Sequence, residues 1–161
     1  MRLHTIREKQ TLNLSLSGAW TFFSNPGNLS LLTPPSLGLE LGTEPPREMH
    51  PGMILEYRIR PLLGIPVRWV TEITHVVPLR LFVDEQRFGP YRFWHHQHLF
   101  REVPGGVEME DLVHYALPFG PLGRGVNALF TARQVRRIFE FRRLFLDRSF
   151  GAVPSPGTEQ R

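Results

Sequence analysis

The stretch "DEQRFGPYRFWHHQH", residues 84–98, gathers three histidines, two carboxylates and four aromatic rings into fifteen positions. Imidazoles and carboxylates this close together can bind a metal ion, exchange protons, or hold the polar head of a ligand. Alternate side chains of a strand share a face, so Arg92, Trp94, His96, His98 and Phe100 fall together. Tyr91, Phe93, His95, Gln97 and Leu99 oppose them. The large rings of Trp94 and Phe100 favour the first set for the interior, which sends His96 and His98 in and His95 out. In "GVEMEDLVHYA" the apolar face carries Val107, Met109, Val113 and Tyr115, and it takes Asp111 inside with it. A buried carboxylate needs a partner, and His96, His98 and Arg92 are the candidates.

Each chemistry makes its own demand. A metal site would use His96 and His98 with Asp111 or Glu85 as a third ligand, but that spacing constrains ligand geometry loosely. No metal and no other cofactor is expected. Asp111 orienting His96 or His98 as a general base is compatible with the pattern. No serine or threonine sits in a nucleophile context, cysteine is absent, and there is no glycine-rich phosphate loop. The polar end of a binding cavity is the reading that the pattern favours.

The elements that must position these groups follow from hydrophobic periodicity. Residues 2–12 alternate as a first strand. Ser17 is placed to cap a short helix carrying Trp20 and Phe23, which "NPGN" stops. Asn28 is placed to cap a second, Leu29 to Leu32, ended by Pro34 and Pro35. From Leu37 to Leu117 the pattern is strand upon strand. "MILEYRIR" sets Met53, Leu55, Tyr57 and Ile59 against Glu56, Arg58 and Arg60; "IPVRWVTEITHV" sets Ile65, Val67, Trp69, Thr71 and Ile73 against Arg68, Glu72 and Thr74. One apolar face and one charged face mean an antiparallel sheet that is wet on one side. Over residues 125–149 the spacing turns helical, with Val135, Ile138, Phe139, Phe145 and Leu146 opposite Arg133, Arg136, Arg137, Arg143 and Arg148. Strand, two short helices, about six strands and one long helix are packed most economically as a curved sheet closed over the helix.

Composition narrows the field. The 161 residues suit one domain, 1–150, with a flexible tail over 151–161. Hydrophobic residues at 41% and charged residues at 21% are ordinary for a globular chain, and no apolar run approaches the roughly 18 needed to span a bilayer. Without cysteine there is no disulfide, thiolate nucleophile or cysteine-bound zinc. The opening residues lack an apolar signal core, so a cytoplasmic protein without integral membrane association is expected. The net charge of +4 rests on 19 basic residues, all arginine except Lys9, a bias that suits a heat-adapted bacterium. These charges interleave with Glu and Asp, which points to a salt-bridged surface rather than to nucleic acid.

Four stretches, "WTFFSNPGNLSLLTPP", "DEQRFGPYRFWHHQHLF", "GGVEMEDLVHYALPFGPLG" and "IFEFRRLFLDRSFG", together with the element order, resemble the START/Bet v 1-like (SRPBCC) superfamily in its bacterial ligand-binding and polyketide-cyclase-like branch. The resemblance implies an α+β helix-grip fold: a curved seven-stranded antiparallel sheet wrapped around a long C-terminal helix, with two short helices after strand 1. It also implies an apolar tunnel that takes lipid-, sterol- or polyketide-like molecules, a minority of members being cyclases, aromatases or hydrolases. Fold does not fix function, and no catalytic residue carries over.

The expected function is therefore binding of a hydrophobic or amphipathic small molecule between sheet and helix. Met53, Leu55, Tyr57, Val67, Trp69, Ile73, Met109 and Val113 are the expected walls. Trp94, His96, His98, Asp111 and Tyr115 are the expected polar contacts, and Phe130, Ile138 and Phe139 the closure from the helix. Two alternatives stand beside it: a cyclase or aromatase using a His/Asp pair in the same cavity, and a protein-interaction module built on the arginine face of the helix. The exposed sheet edges are suited to a homodimer.

Overall fold

The computed structural model describes residues 2–42, 48–62, 64–118 and 131–151. Strand β1 (His4–Leu12) leads into helix α1 (Leu16–Phe23) and two 3-10 turns, Pro26–Ser30 and Pro35–Leu37. A two-residue strand β2 (Glu40–Leu41) precedes the long strands β3 (Met53–Leu62), β4 (Ile65–Val77), β5 (Leu81–Phe88), β6 (Phe93–Val103) and β7 (Gly106–Ala116). Helix α2 (Ala132–Phe150) is the last described element.

All seven strands form one antiparallel sheet in the order β1-β7-β6-β5-β4-β3-β2. Register irregularities between β3 and β4, and two more between β4 and β5, bend it. The concave face holds the core. Val107, Met109, Asp111, Val113 and Tyr115 of β7 are all buried, while Glu108 and Glu110 face the other way. On that convex face charges meet charges: Arg7 pairs with Glu110, Lys9 with Glu110 at 3.0 Å, Arg101 with Glu108 at 2.9 Å and Arg68 with Glu56 at 2.6 Å.

Helix α2 buries Val135, Phe139, Arg142 and Leu146, a stripe at 4-3-4 spacing, and exposes Arg133, Arg136, Arg137, Arg143 and Arg148. Val135 and Phe139 pack on Val113 and Tyr115, and Leu146 joins Leu12, Phe82, Phe100, Val107 and Met109. The helix thus lies against the β7 side of the sheet. None of the helices among the described residues is long and apolar enough to cross a membrane.

The short helices differ in detail from the sequence expectation. Ser15, not Ser17, caps α1, accepting from the Gly18 amide at 3.1 Å. The next turn begins at Pro26 and is capped by Asn25, because proline is pre-set for the first helical position and has no N–H to satisfy there. Asn28 instead donates from Nδ2 to the Phe22 carbonyl at 2.9 Å. The first residues of the expected long helix, 125–130, lie outside the described residues, as does nearly all of the expected tail.

One glycine is demanded by close approach. A Cβ on Gly106, at the β6–β7 turn, would stand 2.0 Å from the Leu12 carbonyl oxygen where β1 ends against β7. Backbone cannot give way there as a flexible side chain would. Gly106→Ala is expected to cost at least about 2 kcal/mol in urea unfolding, where a surface substitution costs about 0.5 or less.

Candidate functional site

Strand register assembles the polar cluster. Asp84 of β5 lies opposite His96 of β6, Phe82 lies opposite His98, and His98 lies opposite Asp111 of β7. All five point into the concave side. Gln86 ties the β5–β6 turn: its Nε2 donates to the Tyr91 carbonyl at 2.6 Å and its Oε1 accepts from the Tyr91 amide at 3.2 Å. His95 points to the convex face, where Nδ1 lies 3.0 Å from Glu85.

Asp111 is the centre. Its Oδ1 lies 2.9 Å from His96 Nε2, 2.9 Å from His98 Nδ1 and 3.4 Å from Arg142 Nη2. On the other side of the two rings, Asp84 Oδ2 lies 2.9 Å from His98 Nε2 and 3.4 Å from His96 Nδ1, and Trp94 Nε1 donates to Asp84 Oδ1 at 3.3 Å. The imidazole centroids are 3.8 Å apart, and His98 also stacks on Phe82 at 4.1 Å. Arg142 reaches in from α2, its guanidinium 5.4 Å from the centre of the Phe23 ring.

Burial and charge decide the protonation states. Burial alone would raise the Asp111 carboxyl, but the Arg142 charge and hydrogen bonds from both histidines hold it well below the usual range. Burial likewise works to raise Asp84, and the two imidazoles overcome it, so that carboxyl is lowered. Burial works to lower His98, yet hydrogen bonds to Asp111 and Asp84 outweigh it and the ring is raised, favouring imidazolium. His96 is lowered, by burial first and the neighbouring His98 charge second, and it is the neutral ring of the pair. Burial pushes the phenols of Tyr57 and Tyr91 up, so both remain hydroxyls.

Asp84, His96, His98 and Arg142 of the cluster stand on the wall of a cavity of about 570 Å3 between the sheet and α2. Leu55, Tyr57, Trp69, Ile73, Trp94, His96, His98, Ile138 and Phe139, all named from the sequence, stand on its wall. Leu29, Leu32 and Leu37 from the short helical segments and Val135 from α2 add apolar surface. The charged groups of the wall are Asp84, His96, His98 and Arg142, which meet in one cluster, while Asn25, Asn28, Thr33, Thr71 and Gln134 add uncharged polar groups.

Several expected wall residues lie elsewhere. Met109, Val113 and Tyr115 do not line the cavity, because α2 covers β7 and uses up its inward side chains. Asp111 sits behind the imidazoles rather than in the cavity. Met53 is buried in the packing with Leu55, Tyr57 and Ile73, and Val67, paired with Ile59 toward the far end of β4, is not on the wall either. Phe130 lies outside the described residues. Arg92 is exposed, and Arg142 takes the role considered for it; Glu85 stays on the convex side with His95 and Arg87.

Asp84 and Arg142 were not among the expected site residues. Both left a signal. In "FVDEQR", Glu85 and Arg87 mark the wet face, which puts Asp84 inside with Phe82. On α2, Arg142 interrupts the apolar stripe of Val135, Phe139 and Leu146 at a core position.

No protein-family model and no curated protein sequence matches this chain. Solved structures match it along almost its whole length. A protein from Thermus thermophilus superposes with a TM-score of 0.68 at 14% identity, covering 90% of this chain and 95% of that one. The Zhui aromatase/cyclase from Streptomyces sp. R1128 gives 0.66 at 10% identity, covering 91% and 96%. Ara h 8.0201 gives 0.58 at 12% identity, covering 90% and 98%. Sheet, gripped helix and the cavity between them define an α+β helix-grip fold. The chain shares this fold with Ara h 8.0201 and with the Zhui aromatase/cyclase.

The two histidines shift stability in opposite directions with pH. His98, raised in the folded chain, contributes stability that is complete below pH ~6.5 and lost as pH rises through its folded value. His96, lowered, resists protonation, so stability also falls as pH drops below ~6.5; Asp84 and Asp111, both lowered, add a further loss below pH ~4. Urea unfolding across the pH range is expected to show greatest stability near pH ~6.5, with the alkaline decline missing in His98→Gln. A wild-type curve flat from neutral to alkaline pH would contradict the assignment. Asp111→Ala, which leaves Arg142 buried without its carboxylate, is expected to cost about 3–5 kcal/mol in the same measurement.

Proposed function

We propose that this protein binds an amphipathic, mostly apolar small molecule, its hydrocarbon body in the cavity and its oxygen-bearing end at the Asp84–His96–His98–Arg142 cluster. One observation carries the reading: a space of about 570 Å3 walled by aliphatic and aromatic side chains has its charged groups collected at one place. Volumes of about 300–1,000 Å3 with a few convergent polar groups are usual for small-molecule sites. The Tyr57 and Tyr91 hydroxyls and the Arg142 guanidinium are hydrogen-bond donors on the same wall. Lipid-, sterol- and polyketide-like molecules all meet the description, and the fold shared with an aromatase/cyclase agrees with it.

The test is native mass spectrometry of freshly purified protein, followed by titration with long-chain fatty acids and polycyclic phenols. Trp69 and Trp94 stand on the wall and report binding by their fluorescence. Ile73→Trp, which fills the cavity from the floor of β4, is expected to weaken binding at least tenfold while the fold persists. Equal affinity of Ile73→Trp and wild type would place the ligand elsewhere.

A second reading rests on the histidines themselves. Neutral His96 and protonated His98 are a base and an acid side by side on a cavity wall, the pairing that proton-transfer steps of a cyclase or aromatase would use. Under this reading His98→Ala loses turnover of a poly-β-ketone probe and still binds it. Unchanged turnover in that variant would dismiss the reading.

A further inference from the structure

We infer that Asp84, His96 and His98 form a site for one divalent transition-metal cation, open toward the cavity. The site goes beyond the small-molecule reading and is tested with no organic ligand present. Its donor set is two imidazoles and one carboxylate, with one donor atom of each residue within 4.8 Å of the others. Asp84 Oδ2 stands 2.9 Å from His98 Nε2 and 3.4 Å from His96 Nδ1. Metal–ligand bonds of about 2.0–2.2 Å call for donors on the order of 3–4 Å apart, so slight side-chain adjustments close the three around an ion.

The backing is the second argument. The remaining nitrogen of each ring lies 2.9 Å from Asp111 Oδ1. Imidazoles that bind metal usually give their other N–H to a carboxylate, which fixes the tautomer and raises ligand basicity. Here one carboxylate serves both rings, and Arg142 beside it offsets its charge. Asp84, His96 and His98 line the cavity, whereas Asp111 stands behind them. Inner ligands toward the open space and an outer carboxylate in the wall are the order that a metal site requires.

Proton counting supplies the third. A neutral imidazole has a single N–H. Once His98 gives up its second proton and each remaining N–H is given to Asp111, both other ring nitrogens present lone pairs toward Asp84 Oδ2. Three electron-pair donors then converge, and a cation takes the place that the proton between His98 and Asp84 holds in its absence. Nitrogen and oxygen donors without sulfur suit Zn2+, Fe2+ or Co2+. Three protein ligands leave at least one coordination position facing the cavity, for water or for an oxygen of the cavity's ligand.

Chelator-stripped protein titrated with Co2+ and then Zn2+, followed by visible absorption and native mass spectrometry, tests the site. One ion per chain is expected, with cobalt bands that Zn2+ erases. Asp84→Asn and His98→Gln are expected to weaken uptake at least 100-fold, and Asp111→Asn roughly 10- to 100-fold through the outer shell. His75→Ala, on the exposed surface, should bind as wild type does. Circular dichroism establishes that each variant is folded, and wild-type uptake decides the matter if one is not. A folded wild type that takes up neither metal, or uptake indifferent to folded Asp84→Asn and His98→Gln, overturns the inference. Cavity binding of an organic ligand, measured separately, would survive that result.

Discussion

The carboxylate of Asp111, 1% exposed, sets the terms for the surrounding structure. A charge so far from water must be met in place. Its partners arrive from two directions, His96 and His98 along β6 and Arg142 from α2. A one-residue slip of β6 against β7 would turn both imidazoles to the convex face and leave the carboxylate facing none of them. A rotation of α2 by one residue would carry Arg142 out of reach. Desolvating these ions offsets much of their mutual attraction, so the cluster adds little net stability while making misregistered alternatives expensive.

The cavity follows from where the helix does and does not pack. Val135, Phe139 and Leu146 settle on β7 and its neighbours, so the buried residues of β3 and β4, Met53, Leu55, Tyr57 and Ile73, cluster without α2. The irregularities between β4 and β5 curve those strands. Leu29, Leu32 and Leu37, held by the turns that Pro26 and Pro35 begin, close part of the remaining gap. Sheet curvature and helix offset together leave a space that the apolar side chains do not fill.

Much of this was legible in the sequence, and the missing parts share a cause. Period-two alternation assigned Met53, Leu55, Tyr57, His96, His98 and Asp111 to the concave side, since that period depends only on the strand itself. Alternation gives the face of a strand but not what lies over it. That is why Met109, Val113 and Tyr115, expected on the wall, are found under α2. Of the partners expected for Asp111 on its own sheet, His96 and His98 are found and Arg92 is not, and the guanidinium comes instead from Arg142 on the C-terminal helix, whose azimuth no strand pattern specifies. Ser15 and Asn25 displaced Ser17 and Asn28 as caps because neighbouring polar residues compete for one helix start, and the proline at 26 decided the second case.

The antiparallel pairing of β1 with β7 joins His4 to Tyr115 and Leu12 to Val107, closing a loop of roughly a hundred residues. Every other neighbour in the sheet is also a neighbour in sequence. As the chain leaves the ribosome, β2 through β7 can zip up in turn, while β1, made first, waits longest for its place. During that wait it is an unpaired strand, the kind of segment that seeds aggregation. Its residues Arg7, Glu8 and Lys9 break up the apolar content in the middle of the strand. The charges that later pair with Glu108 and Glu110 thus first serve as gatekeepers of the nascent chain.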